Sequence, residues 1–440
     1  MNRWLLIIIL AFILYCQKES PPSSSAENPK LTVISPHTKD VLDNFDQAFK
    51  KYYQQRTGAS IQIEWIDQGG SSDDLKFIKS EFTRNPDGID IDLFWGGGVT
   101  PHLMLLEDHL LYPLEIDSLI LSNLPRELAG MPLYDPKFHW YGTCLSAFGV
   151  IYNKMVLQQL NIPQPVDWKS LADPVYCDWI AIPDIRHSGS IEMMFHVILS
   201  AYGWNEGWDV LTRICANAKR FTLSSIDVIK DITTGDAACA LCVDYYAWKQ
   251  IEDHGLDKIG YLLPNNHSVI NPDCISVLKG LPHPENSRIF IEFLLSEQGQ
   301  SIFYLPHGHP NGPPESSLNR LAIVPFMYEK YQSVSVIPIN PFDNQQMVPY
   351  DAERIQQIQD VFKDLCGVLF IDNHTSLKRA WNALLANPST ENERAFSLLP
   401  IDSTSLYQYA KAWKTDEVFR NEQLNAWTKF AINKYDSILK

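Results

Sequence analysis

The chain has 440 residues, room for roughly two to three domains at about 150 residues each, and it can bury large cores without disulfides or structural metals. Thirty-six basic against 52 acidic residues leave a formal charge of −16, and the basic residues are scattered, which argues against a nucleic-acid partner. With 45% hydrophobic and 20% charged residues the composition is globular, and eight cysteines in this length make no disulfide scaffold.

Arg3 precedes an unbroken apolar run from Trp4 to Tyr15 that is too short to span a membrane comfortably and is followed by polar sequence. That layout is a secretory signal peptide. Residues 1–15 are therefore expected to be a signal segment and 16–30 a Pro/Ser-rich tether with nothing to bury. Leu14-Tyr15-Cys16 resembles the lipobox of bacterial lipoproteins, which makes Cys16 the expected lipidation site, with an uncleaved anchor or ordinary signal cleavage as alternatives. The expected location is the periplasm or cell surface, lipid-anchored to a bacterial membrane.

Beyond the tether, short apolar runs alternate with amphipathic stretches. Leu31 to Ser35 reads as a strand, and Lys39 to Gln55 as a helix with Val41, Leu42, Phe45, Phe49 and Tyr52 at helical spacing. Ile61 to Ile66 is a second strand; Gly69-Gly70-Ser71-Ser72-Asp73 ends it and opens a helix through Arg84. Ile91 to Trp95 is a third strand, closed by Gly96-Gly97-Gly98. Three β-loop-α units in a row predict a parallel, helix-covered sheet with ligands outside the carboxyl ends of its strands. A long apolar strand, Trp140 to Asn153, precedes a second series: strand Ile180 to Asp184, helices Met193 to Tyr202 and Gly207 to Ala218, and strand Ala237 to Val243 running into Asp244-Tyr245-Tyr246. Strands at Gly260 to Leu263 and Cys274 to Leu278 and a helix from Pro284 to Tyr304 follow, and the chain from Tyr328 onward reads as mostly helical. Two α/β lobes with the chain crossing near 142–150 and 243–250 are the simplest organisation.

The ordered succession LTVISPHTKD, QGGSSDDL, DIDLFWGGG, WYG, VIYNK, IPDIRHSGS, TGDAACALCVDYYAW and LLSEQGQ resembles extracellular solute-binding proteins of ABC importers, in particular the ferric-iron-binding branch and its phosphonate-binding relatives. The resemblance implies an α/β, two-lobed periplasmic-binding-protein fold of type II with a two-strand hinge, here carrying a mostly helical C-terminal extension. Lobe 1 would comprise 31–142 and the return segment 248–327, lobe 2 would be 143–247, and the helical region 328–440. It further implies a binding protein rather than an enzyme, a monomer, that captures a small anionic solute or ferric ion and hands it to the ABC permease and ATPase subunits at the inner membrane. No resident cofactor is expected; Fe3+ with a synergistic anion would be cargo, and a phosphonate or phosphorylated organic solute is the alternative.

Carried over residue by residue, His37 stands where the iron-binding branch has a metal-ligating histidine, and Tyr245 and Tyr246 match its adjacent tyrosines. Asp244 matches a polar position before them, and Ser188-Gly189-Ser190 the anion-holding segment. The loop carboxylate of the iron binders has no counterpart in Gly96-Gly97-Gly98. Read as chemistry, a phenolate suits a hard cation whose charge lowers its pKa; the alternative is that one tyrosine packs and the other lines an organic-ligand cleft. Both could meet one ion only if the chain turns there. Arg186 to Ser190 before an apolar helix makes an anion site from free amides, hydroxyls and the helix dipole, with Arg186 offering a bidentate guanidinium, unless Ser190 is merely an N-cap. Gly70 and Ser71 repeat that form on the other lobe. A hydrolase with Asp184, Asp244 and Asp273 as acid/base groups is the remote alternative. Cys239 and Cys242 lie inside an apolar strand, where redox or zinc chemistry is not expected.

Overall fold

A computed structural model describes residues 29–343 and 347–440. The expected signal segment, Cys16 and nearly all of the tether lie outside the described residues.

The strands are β1 (Lys30–Ile34), β2 (Gln62–Ile66), β3 (Leu93–Trp95), a small hairpin of β4 (Glu127–Leu128) and β5 (Met131–Pro132), β6 (Trp140–Asn153), β7 (Ile180–Pro183), β8 (Ala218–Thr222), β9 (Cys239–Val243), β10 (Ile259–Leu262), β11 (Ile270–Val277) and β12 (Leu321–Ala322). Apart from the hairpin they form one ten-stranded sheet whose main order is β2-β1-β3-β11-β6-β9-β7-β8. β1 is parallel to both β2 and β3, and β7 is parallel to both β8 and β9, as βαβ crossovers require.

β6 divides the sheet into two lobes. Its first half, Trp140 to Ala147, pairs with β11, and its second, from Phe148, pairs with β9. Thirteen of its fourteen residues are buried, so it reads as a continuous apolar run with no alternation. β10 pairs with the second half, Val150 to Asn153. The return to the first lobe is therefore the connection between β10 and β11, not the expected crossing at 243–250. The boundary expected at 247/248 moves accordingly, because 259–262 belongs to the second lobe's sheet.

Local sequence explains several breaks. Gly203, at φ 76° and ψ 175°, interrupts the long helix Gly189–Asn217 between the two helices expected there. Ser296 separates Pro284–Leu295 from Glu297–Tyr304 by capping the second through Gly299 N at 3.2 Å. At β11 the register slips between Asp273 and Cys274, leaving Thr143 as the extra residue on β6. Such a bulge re-aims side chains, and here it aims Asp273. Gly142 opposite permits the close approach: a Cβ there would stand 2.8 Å from Pro272 Cβ and 2.5 Å from Ile323 Cδ1.

The C-terminal region is helical, from Ala352–Cys366 through a π-helical turn, Gly367–Asp372, to Glu417–Ile438. Its Phe362, Leu365, Leu369, Trp381 and Trp427 join the apolar core of the second lobe, where Trp208 meets the rings of Phe362 and Phe370 at 5.7 and 6.0 Å. It is an enlargement of that lobe.

Candidate functional site

A cavity of about 930 Å³ lies between the lobes. Its walls are the loops at the carboxyl ends of β1, β2, β3, β7, β8 and β9, where open α/β sheets hold ligands. Six helices begin at these loops, at Lys39, Ser71, Val99, Gly189, Asp227 and Asp244. Their leading amides and dipoles favour negative charge in the cleft. Gly70 and Gly98, preceding two of them, offer no side-chain cap to the first turn.

Asp273 is the hub of the first-lobe wall. Its Oδ1 accepts from the amide of Gly97 at 2.9 Å, and its Oδ2 accepts from His37 Nε2 at 2.7 Å and Arg320 Nη1 at 2.8 Å. Burial opposes its charge, but His37, Arg320 and the Gly98 amide outweigh that and hold the carboxyl well below its usual range. Burial pushes His37 the other way, toward the neutral ring, against the pull of Asp273. The network is satisfied by a neutral imidazole that donates from Nε2 and accepts at Nδ1 from Ser35 Oγ, 2.9 Å away. The Arg320 guanidinium lies 4.1 Å from the centroid of the Tyr245 ring.

The glycine run Gly96-Gly97-Gly98 has φ of 121°, 94° and 71°. A Cβ on Gly97 would meet Ser71 Cβ at 2.7 Å, and one on Gly98 would meet Asn271 Nδ2 at 2.8 Å. No carboxylate side chain fits this loop in its present path; the carboxylate at this place comes from β11, as Asp273, hydrogen-bonded to the loop's own amides.

The structure brings most of the expected residues to the cavity: His37, Gly70, Ser71, Arg186, Ser188, Gly189, Ser190, Tyr245 and Tyr246 all line it. The chain does turn at the tyrosines, since β9 ends at Val243 and a helix begins at Asp244, and their ring centroids are 4.5 Å apart. Burial raises the pKa of both phenols. His37 has neither ring nitrogen free. The first-turn hydroxyls are arranged differently from expectation: Ser188, not Ser190, is the N-cap, accepting from Ile191 N at 3.3 Å. Ser188, Ser190 and Ser225 close a triangle of hydroxyls with Oγ–Oγ distances of 3.0, 2.6 and 3.1 Å.

Two expectations are corrected. Arg186 does not present a free fork to the cleft. Its Nε and Nη2 are 3.0 and 2.7 Å from the two oxygens of Asp184, and its Nη1 reaches Asp372 of the C-terminal region at 2.9 Å. Gly367 makes room for it, since a Cβ there would stand 2.9 Å from Arg186 Cδ. Asp244 is fully buried and does not line the cavity; its Oδ1 accepts from Tyr245 N at 2.9 Å, and burial raises its pKa to about 7. Of the three acids weighed for hydrolysis, Asp184 is held by Arg186 and Asp273 by His37 and Arg320. Among the described residues no group of three or more His, Cys, Asp or Glu side chains is placed to hold a metal ion. Cys239 and Cys242 are buried free thiols whose pKa values burial raises.

Sequence reasoning missed Arg320, Asn271 and Ser225. Arg320 had one signal, a cation placed directly before the apolar run Leu321 to Val324. Nothing local marks the other two.

Two lobes joined through one long strand, with the cleft at the strand ends, specify the architecture. Residues 103–321 match the sequence model of the bacterial extracellular solute-binding protein family. The chain also shares sequence with a curated relative and its fold with solved structures. The chain is 26% identical over 267 residues to the phosphoglycerate transport regulatory protein PgtC of Salmonella typhimurium, covering 59% of this chain and 62% of that protein. It thus spans about three fifths of that curated relative's length. Apo ferric ion-binding protein A of Pasteurella haemolytica superposes with a TM-score of 0.58 at 15% identity, over 77% of this chain and 96% of that one. The periplasmic binding protein AfuA of Actinobacillus pleuropneumoniae, solved with fructose-6-phosphate bound, superposes with a TM-score of 0.54 at 17% identity, over 80% and 97%. At these identities the solute-binding likeness is one of fold, and the fold is the two-lobed type II periplasmic-binding-protein fold.

Proposed function

We propose that this solute-binding protein captures a phosphorylated organic solute and delivers it to an ABC permease. The observation that carries the reading is the convergence of six helix amino ends on one cavity of about 930 Å³, a volume suited to an organic ligand rather than a bare ion. The helix ends and the serine triangle suit phosphate oxygens, and the phosphoglycerate and fructose-6-phosphate named for the relatives are solutes of this class. Binding a ligand that touches both lobes favours closure by its differential affinity for the closed state.

Tyr245 and Tyr246, side by side in the cleft, favour a second reading, ferric iron held with an anion. It has His37, Asp273 and Arg320 to displace first. Thermal shift and calorimetry with sugar phosphates and phosphoglycerates, against ferric citrate, separate the two. The expected result is stabilisation by a phosphate ester and no coloured phenolate-to-iron charge-transfer band. A band appearing at one equivalent of ferric citrate, lost in Tyr245→Phe, would reverse the order.

Export and acylation rest on the sequence alone. A fatty-acid analogue is expected to label the wild type and not Cys16→Ser; equal labelling of both ends the lipoprotein reading.

A further inference from the structure

One wall of the cleft comes from neither lobe's sheet. Helix Ala352–Cys366 of the C-terminal region lies across its end and touches both sides. Gln356 Nε2 donates to Glu107 Oε2 at 2.9 Å on the first lobe. Gln359 Nε2 and Lys363 Nζ reach Glu192 Oε2 at 3.1 and 2.8 Å on the second. Gln359, Lys363 and Tyr350 line the cavity together with Glu192 and His196.

Glu192 and His196 are four residues apart on one helix and so share a face. Each is only 5% exposed. Glu192 Oε1 and His196 Nε2 have no hydrogen-bond partner among the described residues. They stand 3.9 Å apart, beyond hydrogen-bond reach of each other. Buried polar atoms are nearly always paired, so two orphans on the wall of a ligand cavity ask for a partner from the ligand.

The charge in this corner narrows the partner. Lys363 balances Glu192, and the His196 ring, stacked 4.0 Å from Phe362, is kept neutral by burial and by Lys363. A second phosphate would meet no net positive charge here. What the corner offers is a carboxylate acceptor, a ring nitrogen that donates or accepts, and a side-chain amide, which together complement neighbouring hydroxyls.

We infer that Glu192, His196 and Gln359 form a subsite for the hydroxyl groups of the ligand's carbon skeleton, so that the C-terminal region takes part in choosing the solute. This rests on the phosphorylated-solute reading above, with the phosphate at the helix ends and the polyol in this corner.

Calorimetry on the full-length protein tests it with matched pairs: glycerol 3-phosphate against propyl phosphate, and fructose 6-phosphate against hexyl phosphate. The wild type should prefer the hydroxylated member of at least one pair by about tenfold or more, the size expected for a desolvated polar contact. His196→Leu should lower that preference by about tenfold, with the alkyl phosphate bound as before. Gln359→Ala, at a half-exposed position where the fold is not at risk, should lower it by a few fold. A wild type that binds the esters without preferring hydroxyls overturns the subsite, and so do variants that keep the preference; either outcome leaves the phosphate reading standing. A wild type that binds none of the four esters overturns both.

Discussion

Two arginines border the cleft, and they differ in what holds them. Arg186 is tied to Asp184 within its own loop and to Asp372 across the π-helical turn, with its side chain 31% exposed. Arg320 is buried, shares Asp273 with His37, and lies over Tyr245. The first fastens the C-terminal region to the second lobe. The second organises the binding wall of the first lobe. Position beside an anion-friendly loop is therefore a poor guide to whether a cation is free for a ligand, because both arginines are already held by carboxylates.

The largest effect should come from Arg320. Arg320→Ala leaves Asp273 buried with only a neutral imidazole and backbone amides, and breaking a buried pair from one side costs about 3–5 kcal/mol. Urea unfolding without ligand should show that loss, and ligand affinity should fall as well. A stable Arg320→Ala protein with unchanged affinity would erase the contrast between the two corners.

Next is Asp244, beside the same wall. Its carboxyl titrates at about 7 in the folded chain because it is buried, against about 4 when unfolded. Below about pH 4 both states hold the proton and folding carries no penalty from it. From about pH 4 to 7 the unfolded chain gives up the proton and the folded one keeps it, so stability falls through that window. Asp244→Asn should flatten the fall, by on the order of 2 kcal/mol between pH 5 and 8. Unfolding midpoints at the two pH values measure it, and identical slopes in both proteins would show that Asp244 is not a buried acid.

Arg186→Ala should do least. It should cost about 1 kcal/mol of stability through the partly exposed pair with Asp372 and the exposed side of the pair with Asp184. Ligand affinity should change by less than about threefold. A tenfold loss of affinity at unchanged stability would return Arg186 to the ligand site.

The sequence signals that survived are those with a local cause. β6 was legible end to end because a strand buried on both faces is a single apolar run. The break at Gly203 and the loops at Gly69-Gly70 and Gly96 to Gly98 followed from glycine chemistry. The resemblance then brought Tyr245, Tyr246 and Ser188 to Ser190 into one cleft, where the structure also has them. What failed depended on pairing across the fold. Asp372 lies 186 residues from Arg186, and Arg320 lies 47 from Asp273, so no window of sequence shows either engagement. The return crossing was misplaced for a related reason: β10 pairs with the second half of β6, as Ile259 with Asn153, across a similarly long stretch of chain, and only register shows that.

The bridging helix Ala352–Cys366 has a consequence for time rather than affinity. A two-lobed protein hinged at a strand opens by rotating one lobe about the crossing segments. Here the same rotation must part Gln356 from Glu107, or else part Gln359 and Lys363 from Glu192. Bonds that must be broken before the lobes can part appear in the barrier to opening, and they should slow ligand exit more than entry. Residence time of a bound solute should therefore depend on a contact between residues 249 apart in the chain, and Gln356→Ala should shorten it.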